Sequence, residues 1–368
     1  MAELRVGILT IAEKWQHHLG GSIGYRTEDY LSQKYKGLVA TKQLFINGGL
    51  CPNEALLHDI TALKEGEALK SGNLLLAAKV NPSDFNEEAC LTQAHNFEGS
   101  FNHIGRPYHI FSLNAVEMAA DFALLTKGRR SAPLSETNTV IGPKDQVFLE
   151  EGASAEASIL NTKSGPIYIG KNASILEGCL VRGGLALCEG AGLKMGAKIY
   201  GATTLGPHSK AGGEVNNSVL IGYSNKGHDG FLGNSVIGEW CNLGADTNNS
   251  NLKNNYDEVK IWDYVKGGFA KTGLQFCGLI MGDHSKSAIN TMFNTGTVVG
   301  VSANIYGAGF PRNFIPSFTW GGPAGMVEYK LEKAFTTAQL VMQRRNKVLD
   351  QTERDILQYV FDKTKPYR

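Results

Sequence analysis

The sequence predicts a parallel β-helix built from hexapeptide repeats, with an α/β layer before it and helices after it. The first observation is spacing: Ile169, Ile175, Val181, Leu187, Leu193, Ile199, Leu205 and Ala211 stand six residues apart. Neither an α-helix, with a period of about 3.6, nor a strand, with a period of about 2, produces that repeat. A solenoid does, because each six-residue segment forms one side of a coil and sends one aliphatic residue into the core. The second observation is that the register resumes at Phe231, Ile237 and Leu243, and again at Met281, Ser287, Phe293, Val299 and Ile305. The third is a glycine directly after several of these positions (Ile169-Gly170, Leu205-Gly206, Ile237-Gly238, Val299-Gly300), which reads as tight corners of positive φ.

The elements follow in order. Residues 4–11 and 73–80 read as strands, and 27–34 and 52–65 as helices, with Pro and Asn between them. That alternation predicts an α/β layer. Residues 113–125 carry apolar side chains at helical spacing and read as a connecting helix, followed by a basic, Pro-containing link at 127–133. The repeats run from about 140 to 306, broken at 212–230 and 248–277, two stretches expected to leave the prism as loops. In the tail, Leu331, Phe335, Leu340, Val341, Val348, Ile356, Leu357 and Val360 recur in a heptad-like pattern. They predict one or two amphipathic helices that cap the open end of the prism. The expected domains are therefore 1–126, 134–322 and 325–368.

Composition narrows the functional classes. At 368 residues the chain exceeds what one hydrophobic core of about 250–300 residues organises. A formal net charge of +1 gives no support for nucleic-acid or membrane-surface binding through bulk electrostatics. No apolar run approaches the roughly 18–20 residues that cross a bilayer. The N-terminal stretch lacks a basic leader and a small-residue cleavage site, so a cytoplasmic location is expected. The six cysteines, Cys51, Cys90, Cys179, Cys188, Cys241 and Cys277, form no CxxC pair and read as reduced, mostly buried thiols.

The segment with most chemistry is Ser224-Asn-Lys-Gly-His228-Asp-Gly-Phe-Leu-Gly233, with Cys241-Asn-Leu-Gly-Ala-Asp-Thr-Asn-Asn-Ser-Asn251 close behind. A histidine ahead of a glycine-rich turn can accept a proton from an amine or hydroxyl. Asparagine amides both donate and accept, which suits sugar hydroxyls. Read without a partner, the same residues also fit an exposed turn histidine and an asparagine ladder inside the solenoid. His208, after a Gly-Pro corner, reads as structural, and His284 and His17-His18 as surface residues. No His, Asp or Glu grouping has metal-ligand spacing.

The stretch from His228 to Thr247 (HDGFLGNSVIGEWCNLGADT) resembles the active-site segment of the bifunctional N-acetylglucosamine-1-phosphate uridyltransferase/glucosamine-1-phosphate N-acetyltransferase family. AELRVGILTIAEKW, INGGLCPN and YSNKGHDGFLGNSVIGEWCNLGADTNNSNLKNNY resemble its divergent branch, and the likeness extends along most of the chain. The resemblance implies an α/β nucleotidyltransferase-like (Rossmann-like) domain, then a left-handed parallel β-helix with hexapeptide repeats and a C-terminal helical tail. It implies acetyl transfer from acetyl-CoA to an amino-sugar phosphate, glucosamine 1-phosphate, by a homotrimer with active sites between prisms. By the same resemblance His228 is the catalytic base, and the Ala245 N–H faces the thioester oxygen. Asn242 and Asn251 contact the sugar, and Ala288, Ile289 and Gly307 lie near acetyl-CoA.

Three positions depart from the better-known branch. Lys198 replaces a phosphate-binding arginine, with Arg182 near it; Asn216 replaces a lysine, and Phe231 a tyrosine. The first domain departs further. Nothing of the form Gly-x-Gly-Thr-Arg is present, and Gly20-Gly21 and Gly48-Gly49 read as turns. The resemblance thus implies that the family's first strand and phosphate loop are missing, and that Mg²⁺ is needed only if this domain is active. Two alternatives stay open: a sugar-1-phosphate nucleotidyltransferase with a trimerising β-helix, and a non-catalytic scaffold that binds a nucleotide sugar.

Overall fold

The computed structural model describes residues 1–38 and 43–368. They form two compact units: residues 1–5 with 9–109, and residues 6–8 with 110–368.

In the first unit, α1 (Ile11–Leu19), α2 (Glu54–Ala62) and α3 (Glu87–Gln93) accompany a four-stranded sheet. Its strands are β1 (Gln43–Ile46), β2 (Ala68–Ser71), β3 (Leu74–Val80) and β4 (His95–Asn96), in the order β1-β3-β2-β4. β3 runs antiparallel to β1 and β2, and β4 runs parallel to β2. The strand expected at 4–11 is absent, reduced to a bridge between Arg5 and Thr10. Thr10 instead starts α1 through a capping box: its hydroxyl accepts from the Glu13 N–H at 3.2 Å, and Glu13 accepts from the Thr10 N–H at 2.7 Å. The helix expected at 27–34 is a single 3₁₀ turn, Asp29–Leu31. Residues 52–65 do form a helix, α2, capped by Asn53.

The second unit is a parallel β-solenoid whose coils have three faces. Face 1 has six strands, from Thr139–Ile141 to Phe231–Gly233. Face 2 has nine, from Val147–Leu149 to Phe314–Ile315. Face 3 has nine, from Ser154–Ala155 to Thr319–Gly322, closed by a tenth, antiparallel strand, Gly325–Glu328. The hexad residues point inward and pair coil on coil, as in Ile169–Leu187–Leu205 and Ile175–Leu193–Ala211. Each is nearly or fully buried in one continuous core.

The corner glycines serve a different purpose from the expected one. Gly170, Gly206, Gly238 and Gly300 do not have positive φ. They lie where the next coil comes closest: a Cβ on Gly206 would stand 1.8 Å from the Ile221 carbonyl oxygen, and one on Gly170 2.6 Å from that of Leu187. The left-handed position comes two residues later and holds Asn172, His208, Trp240 and Ser302, with φ between 52° and 59°. His208, Tyr223, Trp240 and His284 stack there as an aromatic column, with 4.2 Å between the Tyr223 and Trp240 rings. His284 is therefore buried rather than on the surface.

Residues 212–230 stay in the prism. Two sides shorten, so that Val215 and Leu220 follow Ala211 at four- and five-residue steps, and Leu232 rather than Phe231 takes the inward position. Asn248–Asn249 still pair in the prism with Met292–Phe293, and the chain leaves it after them as an arm that carries a hairpin of Lys260–Asp263 with Gly268–Lys271. Trp262 of that arm stacks on Phe314 at 4.1 Å.

α4 (Pro107–Thr126) contributes its residues from Ile110 onward to this unit. Met118 and Phe122 pack with Ile8 on the outward side chains Phe148, Tyr168 and Ala186 of face 2. The compact units thus divide within α4, upstream of the link at 127–133. The tail forms α5 (Leu331–Gln343) and α6 (Gln351–Lys363). These helices lie along the corner between faces 2 and 3, where Phe335, Met342 and Leu357 pack with Trp240 and Phe318. The aromatic column gives them an apolar strip to cover, so they flank the prism instead of capping its end. Leu340 and Val348, expected in their apolar stripe, are exposed.

Gly206→Ala should lower the unfolding free energy by about 2–3 kcal/mol, because the new methyl has to push two coils apart. Urea denaturation of both proteins measures the difference, and an unchanged midpoint would contradict the packing account.

Candidate active site

The chain passes from face 3 to face 1 at a second kind of corner, at residues 194–197, 212–213, 227–230, 244–247 and 288–291. Backbone bonds lock these corners in a column: Asp246 N–H donates to Asp229 O at 3.0 Å, and Asn290 N–H to Ala245 O at 2.8 Å. Gly213 (φ +68°) and Gly230 (φ +107°) are required here. A Cβ on the first would meet Asp229 Cα at 2.8 Å, and on the second the Thr247 oxygen at 2.3 Å.

His228 and Asp229 stand exposed on this column. With Lys194, Met195, Ala245 and Asp246 they line a cleft of about 680 Å³. Among the described residues the His228 imidazole makes no hydrogen bond, and the Ala245 N–H donates none. The N–H groups of Met195 and Ile289 are unbonded too, so this freedom follows from the corner itself. What is particular to Ala245 is that it shares a cleft with His228. Ala288 and Ile289 form the next corner of the column, Ile289 exposed, and the Ala288 N–H donates to Ile305 O two residues before Gly307.

Below His228 lies Lys226, which is not among the expected site residues. It occupies an inward hexad position, paired with Ala211, and its side chain is buried. Its ammonium donates to the carbonyl oxygens of His228 (2.5 Å), Asp229 (2.9 Å) and Gly212 (3.4 Å). Burial pulls its pKa down from the ordinary 10.5 to about 8, while Asp229 and Asp246 act to raise it. The signal was present in the sequence, six residues after Leu220. It was hidden because counting by six from Ala211 skips the two shortened sides.

His228 also lines a second cleft, of about 420 Å³, between face 3 and α5. Asn225 and Asn242 face it from adjacent strands, over Tyr223 and Trp240. Lys194, Lys210, Arg344 and Arg345 complete its wall. Asn242 therefore points outward beside His228, and the asparagine buried in the coil is Asn249, whose side chain accepts from the Gly233 N–H.

The other expected site residues stand on face 1. Lys198, Glu214 and Phe231 form one outward row, and Tyr200, Asn216 and Gly233 the next. The Phe231 ring and the Asn251 amide both close on Gly233, and Asn251 donates to Asn234 Oδ1 at 2.7 Å. None of Lys198, Asn216, Phe231 or Asn251 lines either cleft beside His228. The structure thus brings His228, Ala245 and Asn242 together and leaves a second group on the neighbouring face.

All six cysteines are buried and unpaired with one another. Burial pushes the thiols of Cys241 and Cys277 up to about 12, so both stay protonated and neither is poised as a nucleophile. Among the described residues no group of three or more His, Cys, Asp or Glu is placed to hold a metal ion, and no helix is long and apolar enough to cross a membrane.

Comparison with known proteins supplies the family context. Residues 1–130 match the family model described as sugar nucleotidyl transferase. A bifunctional sugar-1-phosphate nucleotidylyltransferase/acetyltransferase of Sulfurisphaera tokodaii is 37% identical over 93 residues, which are 25% of this chain and 23% of that protein. Bifunctional protein GlmU of Methanocaldococcus jannaschii is 32% identical over 87 residues, 24% of this chain and 21% of that protein. The chain thus spans less than a quarter of the length of these curated relatives. Among solved structures, a UDP-N-acetylglucosamine acyltransferase of Francisella novicida aligns at 9% identity over 62% of this chain and 87% of that one, with a TM-score of 0.29. By sequence, then, the chain is similar to bifunctional sugar-1-phosphate nucleotidylyltransferase/acetyltransferases, and its residues 1–130 carry the match to the sugar nucleotidyl transferases.

Proposed function

We propose that the protein transfers an acetyl group from acetyl-CoA to the amine of an amino-sugar phosphate, glucosamine 1-phosphate, as a cytoplasmic homotrimer. The observation that carries this reading is the pairing, in one cleft, of an imidazole and a backbone N–H that are both unbonded, those of His228 and Ala245. Support also comes from the acetyltransferase half of the name of the Sulfurisphaera tokodaii relative.

In the proposed reaction His228 takes a proton from the amine as its nitrogen attacks the thioester carbon. The C–N bond forms, and the carbonyl oxygen becomes an oxyanion that the Ala245 N–H stabilises, a contribution of about 3–4 kcal/mol for one well-placed donor. The C–S bond then breaks, and the departing thiolate recovers the proton from the imidazolium. Asn242 orients the sugar from the adjoining cleft. Phe231, Asn251, Asn216 and Lys198, on the neighbouring face, complete the acceptor site of an adjacent protomer in the trimer. Ala288, Ile289 and Gly307 continue the His228 column, and we assign the pantetheine arm of acetyl-CoA to that edge. The division into 1–126, 134–322 and 325–368 belongs to the same proposal.

Lys226 has a positioning role in this scheme. By holding the carbonyls of His228 and Asp229 it fixes the turn that carries the base. A second reading, nucleotidyl transfer by the first unit with Mg²⁺, is favoured by the family match over residues 1–130.

His228→Ala should lower CoA release from acetyl-CoA and glucosamine 1-phosphate by about 100-fold or more. Equal turnover in mutant and wild type would refute the assignment of the base. Lys226→Met should lower kcat with little change in either KM, because it loosens the turn without touching substrate. The folded protein releases the Lys226 proton near pH 8 and the unfolded chain holds it to 10.5, so between those values the unfolded state binds more protons. Wild-type stability should therefore rise relative to Lys226→Met across that window; parallel urea-denaturation profiles would show that Lys226 carries no buried charge.

A further inference from the structure

The cleft between face 3 and α5 gathers four cations, and among the described residues no carboxylate lines it. Lys194 and Lys210 come from adjacent coils, and Arg344 and Arg345 from the residues just after α5. Among the described residues none of the four forms an ion pair. The Lys210 ammonium donates to the Gly190 carbonyl at 2.9 Å. The polar groups beside them, Asn225 and Asn242, are neutral amides.

That arrangement has an electrostatic cost that an anion would remove. Burial pulls the Lys210 pKa down, and Arg345 and Lys194 lower it further. Burial also lowers the pKa of His208, with Arg345 the next cause and the Glu189 carboxylate opposing both. Cations at the C-terminal end of a helix do complement its dipole, which accounts for Arg344 and Arg345 by themselves. It does not account for Lys194 and Lys210 gathered against them. A phosphate presents oxygens that guanidinium forks bind in pairs, with ammonium groups as point charges beside them.

We propose that this cleft binds the phosphate of a phosphorylated ligand, held by Lys194, Lys210, Arg344 and Arg345, with the rest of the ligand directed to His228 on the same cleft. The site stands on its own geometry; only the ligand's identity rests on the acetyl-transfer reading. Two sources share the chemistry: the phosphate of the acceptor sugar and the phosphates of the acyl donor.

The test titrates inorganic pyrophosphate into the full-length wild type, Arg344→Gln/Arg345→Gln and Arg344→Lys/Arg345→Lys, following the heat. Wild type should bind, more weakly as salt rises. The glutamine pair should lose about tenfold or more, and the lysine pair much less, with unfolding temperatures unchanged. Lys194→Gln, outside the helix, should repeat the loss if the glutamine pair does not fold. Binding equal in wild type and the glutamine variants, or absent from wild type, overturns the site. His228→Ala should keep pyrophosphate binding while losing turnover, so a failure of the acetyl-transfer reading is seen separately. In steady state, a rise of about tenfold in KM for glucosamine 1-phosphate alone assigns the acceptor phosphate, and a rise for acetyl-CoA alone assigns the donor. No change in either KM counts against the proposal.

Discussion

Parallel ladders hold successive coils of the solenoid about 4.8 Å apart, and that fixed distance is the constraint on which its other features depend. Each coil must offer an inward residue of the right volume and a backbone able to approach its neighbour. Gly170, Gly206 and Gly238 satisfy the second need, since a Cβ at any of them would collide with the adjacent coil. The ladder also repeats every corner at the same azimuth. Residues far apart in sequence thus become neighbours along an edge: His228, Ala245 and Ile289 are one corner position in three successive coils.

Such a column makes a site only where its regularity is broken. The shortened sides after Ala211 move Lys226 into the core, and a buried ammonium finds its partners in the carbonyls of the turn above. A leucine there would fill the same space and take that donor from the His228 carbonyl, while the Asp229 carbonyl would keep only the Asp246 N–H. The irregular coil therefore converts a packing position into a support for the exposed turn. The resulting arrangement sets a hydrogen-bonded turn beneath the exposed imidazole of His228, the group that the proposed reaction uses as its base.

The tail adds a second break in the symmetry. Aromatic residues at the left-handed corner, Tyr223, Trp240 and Phe318, create an apolar strip that α5 and α6 cover. Covering it brings Arg344 and Arg345 to the lysines of face 3. Hydrophobic burial positions the helix, and the charges are carried with it. The like-charge crowding this leaves is a feature of the folded unit, because Lys210 and Arg345 are remote in the chain.

How much was legible depended on whether a property is local or periodic. The hexad register, α2, the core of β3, the buried cysteines and an outward arm within 248–277 were readable, since spacing and composition determine them, although Asn248–Asn249 themselves stay in the prism. His228 was readable as a candidate because a histidine in a glycine-rich turn is a local pattern. The strand expected at 4–11 does not form because the capping box of Thr10 and Glu13 starts a helix at Ile11. Phe231 was placed inward because a change of side length cannot be seen from spacing across it. His284 was placed on the surface because its neighbour in the column, Trp240, is supplied by the preceding coil. The sequence by itself determined the solenoid and the residues of its core, because each hexad answers to one burial requirement. Which polar residues share a cleft was decided only by the tertiary structure, since that depends on coil length, corner stacking and the path of α5, all set by contacts between distant parts of the chain.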